Sequence, residues 1–267
     1  MLKEKEKLYN SQSVLVLTAA LNEEEGIRLT LAEVGRYLLG SRFLVVDGHS
    51  RDRTVDVAKD LGAEVVFQEG KGKGDAIAFG LRHVKHDFDY LVLIDADYTY
   101  PAAYIPQMIS ILEENSQVGM VCGNRFNSHL KNGIMRGCFY FGNRLLAFTH
   151  SLVNKVDLRD PLTGLRVIRW NILKNWQPKS TGFDVEVELN NYVLSLGYNI
   201  EEIEIPYRER VGEKKLKWKD GFTILNRILI QSFSEKISGF DVVWVESVKQ
   251  LCHFDFFAQK IPWGVLQ

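Results

Sequence analysis

From Ser13 onward the apolar and polar positions follow two alternating periods. Short apolar runs occur at VLVLTAA (Val14–Ala20), RFLVV (Arg42–Val46), Glu64–Phe67, YLVLI (Tyr90–Ile94) and Val118–Cys122. Between them lie amphipathic stretches of helical length, at about 23–39, 52–61, 74–85 and 103–115. Continuous apolar strands alternating with helices predict βαβ units and a mainly parallel sheet covered on both faces. After residue 123 the alternation changes. Residues 134–154 predict a long apolar helix, with Ile134, Cys138, Phe141, Leu145, Phe148 and Leu152 three or four apart. There follow a loop from Asp157 to Gly164, a strand LRVIR, a helix over 183–196, a strand IEEIEIP ending at Pro206, and amphipathic helix from 220. The expected organisation is a tail over 1–12, one α/β domain over 13–236 with C-terminal amphipathic helices, and an extension over 237–267 with no assigned role.

Composition narrows the class. The chain has 267 residues, 46% of them hydrophobic, with 33 Lys+Arg against 34 Asp+Glu. A net charge of −1 excludes a globally basic nucleic-acid binder, and no nucleic-acid partner is expected. Cys122, Cys138 and Cys252 are an odd number without a CxxC pair, which argues against a disulfide framework and for a reduced, cytoplasmic protein. The charged start MLKEKEKLYNSQS lacks the apolar stretch of a secretory signal. No window approaches ~18 uninterrupted apolar residues, so no transmembrane helix is expected.

In parallel sheets ligands bind beyond the carboxyl ends of the strands. Asp95 and Asp97 stand directly after the fourth apolar run. Carboxylates at i and i+2 of an extended segment project to one side, where hard oxygen ligands suit a divalent cation; an acidic pair near a helix start is the alternative. Asp47 and Ser50 end the second run, placed either to meet a nucleobase or ribose or to shape a turn. Gly70-Lys-Gly-Lys-Gly74 is neither a P-loop nor G-x-G-x-x-G. With Lys71 and Lys73 it still suits an anionic ligand near a helix N-terminus.

Taken together, TAALNEEEGI, VVDGHSRDRT, GKGKGDAIAFG, LVLIDADYTYP, GNRF, RDPLTGLRVIR and GFDVEVEL followed by GYNIEEIEIPYRERVGEKKLKWKDG resemble the family 2 glycosyltransferases, in the branch of polyprenyl-phosphate sugar synthases. The similarity runs from about Val14 to about Phe233. It implies a GT-A (Rossmann-like) fold and inverting transfer of a hexose from a nucleotide-sugar donor, GDP-mannose or UDP-glucose, to a polyprenyl phosphate. It places Ala19, Leu21, Glu23, Asp47 and Lys73 at the donor, and Mg²⁺ or Mn²⁺ on Asp95 and Asp97, with Thr99 where the family carries Gln. Arg125, with Arg136 or Arg144, would meet the acceptor phosphate, and Arg208 and Lys215 would close over the phosphates. Ala19 and Leu21 replace the usual Pro and aromatic residue, and Asp47-Gly-His-Ser replaces Asp-Asp-Gly-Ser.

The chemistry agrees with these residue types. A phosphate monoester, with a second pKa of about 6, needs positioning by arginines more than a general base. A hydroxyl acceptor would need a base, for which Asp184, Glu186 and Glu188 are candidates; an acidic helix start is their other reading. Residues 208–219 hold six basic side chains against two acidic ones, a net of +4 that fits either a solvated loop or a lid near anionic headgroups. The apolar stripes at 134–154 and 220–235 are core or interfacial helices, and the expectation is peripheral contact at the cytoplasmic membrane face. A glycan or other hydroxyl acceptor, and a non-catalytic scaffold, are the alternatives.

Overall fold

The structure, a computed structural model, describes residues 13–126, 158–213, 220–221 and 223–228. Seven strands form one sheet: β1 (Val14–Ala20), β2 (Arg42–Asp47), β3 (Glu64–Phe67), β4 (Tyr90–Leu93), β5 (Val118–Asn124), β6 (Arg166–Arg169) and β7 (Asn199–Glu204), in the order β3-β2-β1-β4-β6-β5-β7. β6 is antiparallel to β4 and β5, and all other pairings are parallel. The helices are α1 (Glu24–Tyr37), α2 (Thr54–Asp60), α3 (Lys73–His83), α4 (Ile105–Glu114, entered through a 3₁₀ turn at Ala102–Tyr104), α5 (Trp170–Leu173) and α6 (Val185–Ser195).

Strand periodicity sorts the core into two layers. Leu15 and Leu17 of β1 face α3 and α6 beside Leu44, Val46, Leu91 and Leu93, where Ile77, Val185 and Leu189 close the layer. Val14 and Val16 face the other way, against Val34 of α1 and Ile105, Met108, Ile109 and Leu112 of α4. The α4 residues recur at i, i+3, i+4 and i+7, a helical stripe that must be buried to hold the helix on the sheet. Each such side chain contributes about 1.5–3 kcal/mol of transfer free energy, so β1, apolar on both faces, anchors the centre of the sheet.

All the predicted strands and helices that lie within the described residues are present, with ends shifted by a few residues. The chain turns away one residue earlier than expected after β4, so Ile94 and Asp95 lie in the loop. α6 starts at Val185 rather than 183, and β7 stops at Glu204, two residues short of Pro206. Residues 220–221 and 223–228 are helical, with Ile224 and Ile228 packed on Val187 of α6. The expected helix over 134–154, both terminal segments, Arg136, Arg144 and Lys215 lie outside the described residues. No helix among the described residues is long and apolar enough to cross a membrane.

Candidate active site

The loops leaving β1, β2 and β4 meet at one end of the sheet, because these strands are parallel neighbours in register. Each loop holds one non-glycine residue with left-handed backbone: Asn22 (φ 50°), His49 (φ 65°) and Tyr98 (φ 63°). Such residues cost of order 1–3 kcal/mol and persist where surrounding contacts dictate the turn. Here those contacts are visible. Ser50 Oγ donates to Asp47 and accepts from the Asn22 amide, at 2.6 and 2.8 Å, while Asn22 Oδ1 accepts from the Arg51 amide at 2.7 Å. The Tyr98 amide donates to Thr30 Oγ1 of α1 at 3.1 Å.

After β4 the two aspartates are held differently. Asp97 Oδ1 accepts from the Thr99 hydroxyl at 2.6 Å and the Thr99 amide at 3.2 Å, and its Oδ2 accepts from Arg210 at 2.7 Å. Asp95 Oδ1 accepts from Lys73 Nζ at 2.6 Å, and the same ammonium lies 2.6 Å from Glu186 Oε1. Arg210 in turn also donates to Glu23. Each aspartate therefore shares its cation with a second carboxylate, Glu186 for Lys73 and Glu23 for Arg210. Arg210 is carried there by the backbone, since the Arg208 amide donates to Thr99 O at 3.0 Å and the Val211 amide to Asp97 O at 3.1 Å.

The electrostatics follow from this pairing. Burial works against charge on Lys73, but Asp95 and Glu186 outweigh it and keep the ammonium above its ordinary range. Burial alone would push Asp95 up; Lys73 beside it holds the carboxyl below its usual value. Burial and the Asp95 charge push Asp97 up. Four carboxylates face two cations, an excess of two negative charges. Beside them opens a cleft of about 240 Å³ lined by Ala19, Leu21, Gly48, Gln68, Asp97 and Phe183 among others.

The residues singled out from the sequence fall into separate groups. Ala19, Leu21, Glu23, Lys73, Asp95 and Asp97 line the cleft together, and Thr99 braces Asp97 from beneath. Asp47 is buried at the end of β2, with both carboxylate oxygens on Ser50 at 2.7 and 2.6 Å. Arg125 is buried and bidentate to Asp160 at 2.6 and 2.7 Å, with the rings of Tyr100 and Tyr207 against its guanidinium. Arg208 grips Glu33 of α1 at 2.6 and 2.8 Å and lies 4.3 Å over the Tyr98 ring. Asp184 accepts from Arg227 at 2.9 Å, and Glu188 caps the amides of Lys179 and Ser180.

The helix-start amides of the glycine-rich segment are already bonded. The Gly74 and Asp75 amides at the start of α3 donate to Thr181 O at 2.9 and 3.2 Å. The helix start is thus occupied by a neighbouring loop, and that docking aims Lys73 inward at Asp95. Two important side chains were not singled out from sequence. Arg210 was only one of six basic residues in its run, and Asp160 one of two carboxylates in its loop; only the tertiary contacts single them out.

The sheet therefore carries an acidic pair braced beyond its fourth strand, beside a cleft at its carboxyl edge. Residues 15–175 match the Glycosyl transferase family 2, and the chain belongs to that family. It is 32% identical over 209 residues to a dolichyl-phosphate hexose transferase of Haloferax volcanii, covering 78% of this chain and 88% of that protein. It is 26% identical over 231 residues to a dolichol-phosphate mannosyltransferase of Pyrococcus furiosus, covering 80% of this chain and 62% of the relative. Among solved structures, glucosyl-3-phosphoglycerate synthase of Mycobacterium tuberculosis superposes with a TM-score of 0.65 at 20% identity, covering 82% of this chain and 80% of that one. The same enzyme has been crystallised with Mn²⁺, UDP and glucosyl-3-phosphoglycerate, at a TM-score of 0.62, 21% identity and coverage of 86% and 81%.

Proposed function

We propose that this family 2 glycosyltransferase moves a hexose, mannose or glucose, from a nucleotide-sugar donor to a polyprenyl phosphate, with inversion, as a peripheral protein at the cytoplasmic face of a membrane. The observation that carries the reading is the acidic cluster at the cleft: Asp95 and Asp97, each sharing a cation with a further carboxylate. Its excess of negative charge and its hard oxygen donors fit Mg²⁺ or Mn²⁺. Among the described residues no group of three or more His, Cys, Asp or Glu makes a ready metal cage. A cation here would take Asp95 and Asp97 as protein ligands and complete its shell from diphosphate and water, as Mg²⁺ commonly does.

When bound, that cation supplies charge stabilisation to the departing nucleoside diphosphate. Lys73 and Arg210 supply the same from the protein, as preorganised donors at the edge of the cleft. Thr99 holds Asp97 in the orientation this requires. Ala19, Leu21, Glu23, Asp47 and Lys73 form the proposed donor side. Arg125, Arg136 and Arg144 form the proposed acceptor-phosphate side, and Arg208 and Lys215 are proposed to close over the phosphates. Of the candidate bases, Asp184 is paired with Arg227, Glu188 accepts from two backbone amides and Glu186 pairs with Lys73 through one oxygen, which favours an acceptor that arrives already ionised. Similarity to the dolichyl-phosphate hexose transferase supports the lipid phosphate.

The test is a transfer assay on the full chain with Mg²⁺ or Mn²⁺, a polyprenyl phosphate, and GDP-mannose or UDP-glucose. Metal-dependent formation of a polyprenyl-phosphate hexose, lost in Asp97→Ala, is expected. Donor hydrolysis without lipid product moves the assignment to a hydroxyl acceptor; absence of nucleotide binding leaves a scaffold.

A further inference from the structure

Arg166 stands on β6 opposite Leu93, two residues before Asp95, and is 1% exposed. Every partner it has among the described residues is neutral. Its Nε donates to Thr163 O at 3.0 Å, and its Nη2 donates to Pro161 O at 2.7 Å. Its Nη1 donates to Asn190 Oδ1 and lies 3.6 Å from the sulfurs of Met120 and Cys122. Asn190, fully buried on α6, also donates to Pro161 O at 3.0 Å. A buried cation without a counter-ion is costly, and a Leu or Met would fill the same layer without that penalty. The guanidinium fork offers a shape that no apolar residue has: it grips two carbonyls of one loop and an amide of a helix in a single plane.

The loop it grips, residues 160–164, touches both halves of the site. At one end Asp160 holds Arg125 at 2.6 and 2.7 Å. At the other end Gly164 lies so close to Asp95 that a Cβ there would sit 2.2 Å from Asp95 Oδ2. The Gly164 amide also donates to Tyr100 Oη at 2.7 Å, on the segment that carries Asp97 and Thr99. We propose that Arg166 and Asn190 are a positioning pair for the transfer reaction. By clamping the Pro161 and Thr163 carbonyls they set the 160–164 loop, and through it they place the Asp95 carboxylate and the Arg125 guanidinium. Neither residue touches substrate.

The experiment compares the full chain with Arg166→Lys, which keeps the charge and loses the fork, and with the apolar double variant Arg166→Met/Asn190→Leu. Leu112→Ala in α4 serves as a control for general destabilisation. The readouts are melting temperature, Mn²⁺ affinity by electron paramagnetic resonance, and kcat and KM for donor and acceptor. Residues that orient a site's own ligands typically change affinity or activity by 10–100-fold when replaced, so Mn²⁺ affinity weakens by about tenfold or more in both variants. Acceptor KM rises as Arg125 shifts, while Leu112→Ala leaves both constants alone at an equal or greater loss of melting temperature. A folded variant with wild-type Mn²⁺ affinity and acceptor KM overturns the proposal, as does an equal loss in Leu112→Ala. If the double variant does not fold, Arg166→Lys and Asn190→Leu singly carry the same reading. The acceptor arm rests on the proposed lipid-phosphate transfer, whereas the Mn²⁺ arm does not. A wild-type chain that binds Mn²⁺ but makes no lipid product sinks the transfer reading alone.

Discussion

Gly74→Ala tests whether the docking of α3 on residues 180–182 places Lys73. A Cβ at position 74 would meet Ser180 O at 2.1 Å, Ser180 C at 2.7 Å and Thr181 C at 2.9 Å, all of them backbone. No rotamer can relieve such a contact, so the loop must withdraw by about 1 Å to restore ordinary van der Waals spacing. That movement stretches the bonds from the Gly74 and Asp75 amides to Thr181 O. Overpacking costs about 1–3 kcal/mol, and two weakened hydrogen bonds add about 1 kcal/mol each. The better helix propensity of Ala returns up to about 1 kcal/mol, leaving a net loss of about 2–4 kcal/mol. In a chain of this size that corresponds to about 4–8 °C in Tm. Because residue 73 adjoins the clash, the ion pairs of Lys73 with Asp95 and Glu186 loosen as well, and kcat falls by about tenfold or more. Scanning calorimetry and the transfer assay read the two effects, with Gly221→Ala as control, since no described residue lies within 4 Å of a Cβ there. A Gly74→Ala protein that melts within about 2 °C of wild type refutes the packing argument. One that melts low yet keeps full activity refutes the link to Lys73.

Three further outcomes are expected. Arg210→Gln removes a guanidinium that competes for Asp97, so Mn²⁺ binding without nucleotide tightens by roughly tenfold while nucleoside diphosphate binding weakens, both measurable by calorimetric titration. Weaker Mn²⁺ binding alone would contradict that competition. Cys122 is buried and its thiol is pushed up to about 12 by that burial, so native protein at pH 8 leaves it unalkylated in peptide mass spectrometry, and labelling appears only on unfolding. For Asp52, burial acts to raise the carboxyl, but hydrogen bonds from Thr54 and from the Glu24 amide outweigh it and lower the pKa below the ordinary 3.8. The stabilisation is therefore present above that ordinary value and is lost as pH falls through the lowered one. Urea titrations of wild type and Asp52→Asn should show a gap at pH 7 that closes below about pH 4; a gap independent of pH would count against it.

Much of the fold was legible because β1, β5 and the inner residues of β2 and β4 are buried on both faces and read as mainly apolar runs, whereas α1 and α4 expose one face and keep a helical stripe. The acidic pair was legible too, since its neighbours in sequence set its position just past β4. Other features depend on contacts that no local pattern encodes. β6 runs antiparallel to both its neighbours, and its four residues carry no mark of direction. The glycines of the 70–74 segment suited an anionic ligand in sequence, and only the approach of residues 180–181 shows that Gly72 and Gly74 also serve close packing. Arg208 and Arg210 stand two apart in one basic run, yet one closes on Glu33 and the other on Asp97 and Glu23, residues 175, 113 and 187 positions away. Local burial and periodicity are properties of a segment and can be read along the chain. Which carboxylate a given cation meets is set by the long-range packing of the sheet, and it exists only once the chain has folded.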